Sequence, residues 1–348
     1  PRTAKQPPGD IPDAQRAVRR AGRIARGPPG TAGVSRPGTV LILGTGQGGF
    51  QVGASLRENG FDGRVVLVGE EPGLPYQRPP LSKAYLTGKA DMAAVRLRPE
   101  KFFAEHRLVL RAGERAVRID RGERRVVLAS GEALPYDHLV LALGARNRAL
   151  PVPGAELDGV VQLRTLADAD GLRRRLEQAR EAIVVGAGFI GMEFAAVAAA
   201  RGVAVTVVEA TDRPMSRSLS PAMSAFFRDA HERQDVRFVF GAIVTRILGN
   251  EHAEGVETAD GRRFPADLVL VGIGVVPNAE LAAEAGLAVS DGIVVDERLA
   301  TGDPAISAIG DCVRYPCRFA DGGAPMRIES VQNAVDQARC VAARIAGR

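Results

Sequence analysis

The sequence has no Cys-x-x-Cys pair; its three cysteines are Cys312, Cys317 and Cys340. Neither a redox-active dithiol nor a thiolate metal site is indicated. The four histidines, His106, His138, His231 and His252, are scattered, and none stands at metal-ligand spacing from another histidine or a cysteine. No apolar run approaches the length of a bilayer span, and no apolar core segment of a secretory leader stands near the N-terminus. The expectation is a cytoplasmic protein with no metal and no membrane contact.

A basic body is missing too. The net charge is +5, yet residues 1–37 carry eight Lys/Arg against two Asp/Glu, so the other 311 residues sum to −1. That leaves little room for a nucleic-acid face on the folded part. Residues 1–37 also hold seven prolines and five glycines, with little apolar periodicity. They read as a disordered basic extension, in which Asp13 to Arg26 has the makings of a short basic helix. The remaining chain is long enough for two domains, and 45% hydrophobic content is that of an ordinary globular protein.

What is present is a repeated pattern. Thr39 to Leu43 is a β-branched apolar run ending in Gly44, Gly46 and Gly49. The run predicts a buried parallel strand, the glycines a tight turn, and Phe50 to Asn59 a helix. Gly44 permits the turn, Gly46 lets a pyrophosphate approach the backbone, and Gly49 lets helix and strand pack closely. Phosphate then sits on free amides at the positive helix end. A second strand, Arg64 to Val68, is followed by Glu70, placed to accept hydrogen bonds from ribose hydroxyls.

The same pattern recurs. Ala182 to Val185 leads into Gly186, Gly188 and Gly191, a helix from Ile190 to Arg201, and a strand, Ala204 to Val208, closed by Glu209. Two copies imply two dinucleotides, or a dinucleotide and a mononucleotide. Between them, Pro79-Pro80 predicts an extended stretch, with a short helix starting near Ser82. Further strands are expected at Leu108 to Arg111, Val117 to Ile119, Asp137 to Leu143, Asp267 to Gly272, Ile293 to Val295 and Ala305 to Ile309. A hairpin is expected from Arg124 to Tyr136, and a last helix from Glu329.

Five motifs in order resemble one family: Gly44 to Gly49, Arg78-Pro-Pro-Leu-Ser-Lys83, Gly186 to Glu193, Gly272 to Asn278, and Gly310-Asp311 followed by Arg327-Ile-Glu-Ser-Val331. The chain resembles FAD-dependent NAD(P)H reductases of the glutathione-reductase superfamily, specifically the ferredoxin reductases of oxygenase systems. Putidaredoxin, rubredoxin and biphenyl-dioxygenase ferredoxin reductases and apoptosis-inducing factor belong to that group. The resemblance implies an α/β fold of two Rossmann-like domains. An NAD-binding domain (151–265) would be inserted into a split FAD-binding domain (38–150 and 266–348). It implies FAD on the first fingerprint and NADH on the second, and electron transfer to a ferredoxin- or rubredoxin-like iron–sulfur protein by a monomer or weak dimer. The family's C-terminal interface domain is expected to be lacking. Leu143 also stands where the family has threonine in Ala-Thr-Gly. The alternatives are an NADH oxidase or other flavin reductase, and a dinucleotide-binding signalling protein like apoptosis-inducing factor.

Residue roles divide between chemistry and likeness. Lys83 follows a rigid Pro-Pro, and the resemblance puts its ammonium beside the flavin, paired with Glu193. A positive charge there would stabilise the electron-rich reduced ring. Read alone, Glu193 falls in a first helical turn, where negative charge suits the helix dipole. Asp311 is expected at a strand's C-terminal edge, facing the ligand crevice; the resemblance gives it the ribityl chain of FAD. The resemblance also implies FAD contacts for Gly48, Arg78, Ala116, Arg164 and Val331, and nicotinamide-cofactor contacts for Ile190, Gly272 and Gly274. Glu209 accepts both hydroxyls of an unmodified ribose and repels a 2′-phosphate, so NADPH is disfavoured. Arg213 and Arg217 follow closely and are expected to be solvated or at the NADH pyrophosphate.

Overall fold

The computed structural model describes residues 37–318 and 320–348. The expected basic extension and its helix therefore lie, Pro37 apart, outside the described residues. Two five-stranded parallel sheets organise the rest. The first runs Ile306–Ala308, His138–Leu141, Thr39–Leu43, Arg64–Gly69, Leu108–Ala112. The second runs Arg237–Phe240, Ala204–Glu209, Glu181–Val185, Leu268–Val271, Val160–Val161. In each, the strand entering the glycine turn lies at the centre. That position is buried on both faces, which is why its residues after the first are uniformly apolar. Val40, Leu41, Ile42, Ile183 and Val184 are wholly buried, each worth roughly 1.5–3 kcal/mol against exposure.

Alternation along the second sheet assigns its two faces. Ala182 and Val184 join a core shared with the Leu166–Leu176 and Phe189–Ala199 helices; Ile183 and Val185 point into another. That other core is closed by an antiparallel sheet, Val244–Gly249, Ala253–Thr258 and Arg263–Pro265. On the first sheet, Gln47–Glu58 packs along the final helix, Val331–Ile345. A short antiparallel pair, Ala145–Asn147 with Val275–Pro277, runs between the two nucleotide folds. Residues 37–348 form one unit. Among the described residues, no helix is long and apolar enough to cross a membrane, and no cluster of His, Cys, Asp or Glu could hold a metal.

Several local expectations are corrected. Pro79-Pro80 is not extended: Pro79–Ser82 is a 3-10 turn, with Leu81 N–H bonded to Arg78 O (2.9 Å) and Lys83 N–H to Pro80 O (3.0 Å). The fixed φ of proline suits the first positions of a helical turn, where no N–H is needed. No helix starts near Ser82; the next, Met92–Val95, is capped by Asp91. The helix expected at Phe50 begins at Gln47, since Gly46 is its N-cap. The last helix begins at Val331, where the Ser330 hydroxyl accepts from Asn333 N–H (3.0 Å).

Candidate functional site

The two glycine turns are built by the same backbone bonds. Gly44 N–H donates to Val68 O and Gly186 N–H to Val208 O, both at 2.8 Å. Ala142 N–H donates to Leu43 O (2.7 Å) and Gly272 N–H to Val185 O (2.8 Å). Gly44 and Gly186 have φ of +106° and +102°, a region that favours glycine. A Cβ on Gly49 would lie 1.8 Å from Gly44 O, and one on Gly191 would lie 2.2 Å from Gly186 O. Helix and strand meet there with no room for a side chain.

Gly46 and Gly188 behave differently. Nothing lies within 4 Å of a Cβ built on Gly46, and only Gly272 O, at 3.8 Å, approaches one on Gly188. Both are helix N-caps with no side-chain capping bond. The first amides of each helix are thus left for an outside acceptor, and an open face lies before them. This arrangement fits a pyrophosphate on each turn. Gly48 faces inward instead, 3.2 Å from Ile309 Cδ1 through a built Cβ and 3.6 Å from Ala334 Cβ, so it admits the final helix.

The acids after the second strands differ. The Glu70 side chain is 71% exposed, with Arg115 3.9 Å away. The Glu209 carboxylate accepts Ala187 N–H (2.7 Å), Thr211 N–H (2.8 Å) and the Thr211 hydroxyl (3.0 Å). The expectation that Arg213 is solvated or at a pyrophosphate is overturned. Its guanidinium bonds Leu219 O, Ser216 O and Ser224 Oγ, tying down its own loop. Arg217 is exposed, with a guanidinium nitrogen 3.4 Å from a Cβ built on Gly274, whose φ is +97°.

Arg78 sits in a bonded cluster. It pairs with Glu71 (2.5 Å) and donates to Arg164 O (2.7 Å) and Tyr76 Oη (3.1 Å). The Tyr76 hydroxyl donates to Glu71 and accepts Leu166 N–H at 3.0 Å. Burial, then the Glu71 carboxylate, raises the Tyr76 phenol above its usual range. Burial opposes the Arg78 charge, but Tyr76 and Glu71 outweigh it and hold the guanidinium above its ordinary value. Arg164 in turn pairs with Asp311 (2.9 Å) and donates to Ala145 O (3.0 Å). Asp311 is not at a strand end: the strand stops at Ala308, and Asp311 lies in the Gly310–Cys312 3-10 turn. Tyr76 and Glu71 were missed in the sequence, although both flank the Arg-Pro-Pro motif and have the chemistry to hold an arginine.

Lys83 and Glu193 meet at 2.7 Å. They are 110 residues apart and come from different nucleotide folds. Glu193 lies in the second turn of its helix rather than the first, because the helix starts at Phe189. The dipole argument for this carboxylate therefore weakens, and the ion pair becomes its stronger account. Ala116 opens the strand Ala116–Asp120, paired with Leu128. Val331 and Ile190 are exposed in the first turns of their helices. Leu143, in place of threonine, presents its carbonyl to Asn278 Nδ2 (2.9 Å). All three cysteines are free, and Cys312 and Cys317 are buried.

Comparison with known proteins agrees with this construction. Rhodocoxin reductase of Rhodococcus erythropolis is 53% identical over 310 residues, 89% of this chain and 72% of the relative. The crystal structure of the ferredoxin reductase for the CYP199A2 system of Rhodopseudomonas palustris superposes with a TM-score of 0.87 at 50% identity, covering 89% of this chain and 76% of that one. The covalent putidaredoxin reductase–putidaredoxin complex contains a chain with a TM-score of 0.86 at 40% identity, covering 89% and 75%. These relatives are oxidoreductases that deliver electrons to iron–sulfur proteins, and their family uses FAD and NAD(H). The family model for pyridine nucleotide-disulphide oxidoreductases matches residues 38–338, and the chain belongs to that family.

Proposed function

We propose that this chain is an FAD-containing NADH reductase serving a ferredoxin-type iron–sulfur protein of an oxygenase system. The observation that carries the reading is the Lys83–Glu193 pair (2.7 Å), which joins two phosphate-accepting glycine turns into one site. The bound cofactors supply hydride transfer from nicotinamide to flavin. The chain supplies placement and charge. The Gly44–Gly49 turn holds the FAD pyrophosphate, with Glu70 at its adenosine ribose and Ala116 nearby. Arg78, Arg164 and Asp311 form a bonded row that would hold the rest of the FAD, and Val331 would contribute from the first turn of the final helix. The Gly186–Gly191 turn holds the pyrophosphate of NADH, Glu209 selects its free ribose hydroxyls, and Ile190, Gly272 and Gly274 line the approach. Lys83 would supply a positive charge to stabilise the electron-rich reduced flavin, and Glu193 would orient it.

Purified protein should be yellow, release FAD on denaturation, and bleach on anaerobic addition of NADH. Cytochrome reduction through an added ferredoxin should then saturate with ferredoxin concentration. Colourless protein that takes up no FAD, or yellow protein that NADH leaves unbleached, would sink the reading.

A further inference from the structure

Lys83 is not the only residue of its turn that reaches Glu193. The preceding residue, Ser82, is buried at 2% exposure, and its hydroxyl donates to Glu193 Oε2, while Lys83 Nζ takes Glu193 Oε1 at 2.7 Å. A hydroxyl has one proton to give. Among the described residues its only other acceptor is Pro79 O, at 3.4 Å, which the charge-assisted bond to the carboxylate outcompetes. We infer that Ser82 is a positioning residue of the electron-transfer site. Its hydroxyl fixes one carboxylate oxygen of Glu193, so that the other stays on Lys83.

The division of labour follows from freedom of motion. A glutamate side chain has three rotatable bonds, and one ion-pair contact at a half-exposed site leaves its carboxylate free to turn. The Lys83 side chain is 53% exposed and Glu193 26%. Water therefore competes for this pair, and geometry rather than attraction decides whether it persists. The Ser82 bond comes from the drier side and removes that freedom. The turn itself does not need the bond. Leu81 is packed in the core, Tyr85 Oη donates to Asp170 (2.6 Å), and Arg201 donates to Leu86 O (2.7 Å). Removing the Ser82 hydroxyl should thus leave the turn in place and release only the carboxylate.

The inference rests on the proposed function for its consequence, but not for its geometry, and two measurements separate them. The variants are Ser82→Ala and the near-isosteric pair Ser82→Thr and Ser82→Val, of which only threonine keeps the hydroxyl. In the first measurement the 348-residue chain, without added cofactor, is treated with trace acetic anhydride. Acylation of Lys83 is read by mass spectrometry against the exposed Lys89. A lysine that loses its oriented partner reacts faster. Ser82→Ala and Ser82→Val should raise Lys83 labelling about threefold, the scale of a half-exposed ion pair, and Ser82→Thr should stay near wild type. In the second, flavin-loaded proteins are mixed anaerobically with NADH. The bleaching rate should fall about tenfold in the Ala and Val variants at unchanged apparent NADH affinity, with recovery in Thr. Equal labelling of Lys83 in all four proteins, or Thr behaving like Val, overturns the inference. A wild-type chain that NADH does not bleach overturns the proposed function instead, and the labelling result still decides Ser82.

Discussion

The chain builds the same nucleotide fold twice, and the two copies differ in their side chains, not their backbone. Two backbone bonds recur with near-equal lengths, and one crowded glycine pair recurs with them. Around that frame almost nothing repeats. Glu70 is exposed while Glu209 is held by three bonds. In the third strand, His138 faces Val40 in the first sheet, whereas Leu268 faces Ala182 at the matching register in the second. Steric necessity preserves the frame, because a Cβ in the wrong place cannot be accommodated. The cofactor each copy takes is left to residues that the frame does not constrain.

The sharpest break of this symmetry uses the two open glycines. Gly46→Val should give folded, colourless protein, because a Cβ there meets nothing within 4 Å and the branched side chain would occupy the open face. Gly188→Val should stay yellow but fail to bleach with NADH. Full flavin occupancy in Gly46→Val, or lost flavin in Gly188→Val alone, would show that the two copies are wrongly assigned.

The crowded pair should instead cost stability in both copies. Gly49→Ala puts a carbon 1.8 Å from a carbonyl oxygen and should destabilise by about 3 kcal/mol or more; Gly191→Ala, at 2.2 Å, should cost somewhat less. Urea unfolding of the cofactor-free variants measures the order, and a larger loss at Gly191 would contradict it.

His138 distinguishes the first copy by its acid response. Burial first, then the charge of Arg344, lowers its imidazole from 6.5 to about 4, and Nε2 lies 2.8 Å from Ser307 Oγ. Below pH 6.5 the unfolded chain binds a proton that the folded chain refuses. This contribution is therefore fully present above pH 6.5 and is lost as pH falls to 4, by up to about 3 kcal/mol. His138→Leu, copying Leu268, should flatten the unfolding profile over that window. A profile unchanged by the substitution would place the acid sensitivity elsewhere.

The smallest effect is expected at Thr211. Thr211→Val removes one of the bonds that hold Glu209 and should narrow the NADH-over-NADPH preference about fivefold in kcat/KM. Ferricyanide reduction with each nucleotide measures it; an unchanged ratio would mean that the backbone bonds alone hold the carboxylate.

Legibility in the sequence followed the same division. The central strands and glycine turns were readable because their constraints are local: apolar runs, a fixed spacing and an acid at the right interval. The Leu166–Leu176 and Pro221–Glu232 helices went unread although each carries an N-cap signal, Thr165 with Asp168 and Ser220 before Pro221. The antiparallel sheet from Val244 to Pro265 was missed because its strands are irregular in register and carry glycines and charged residues that break any apolar alternation. Arg213 was misjudged because two of its acceptors come from a loop whose path no local pattern announces, and the third, Ser224, from the helix after it. The Lys83–Glu193 pairing came from family resemblance, since nothing local links residues so distant in the chain.

The segment after the first nucleotide strands has a further consequence for rebuilding such enzymes from parts. Tyr76, Leu81, Tyr85, Leu86 and Val95 belong by chain order to the first fold, yet they are buried in the core of the second. A hybrid cut near residue 150 would separate these side chains from the partners shaped around them. The second fold would keep a hollow, and the first would present a greasy strip to solvent. A functional exchange of cofactor modules between relatives must therefore carry residues 76–95 along with the second fold, although they lie outside its boundaries in the linear map.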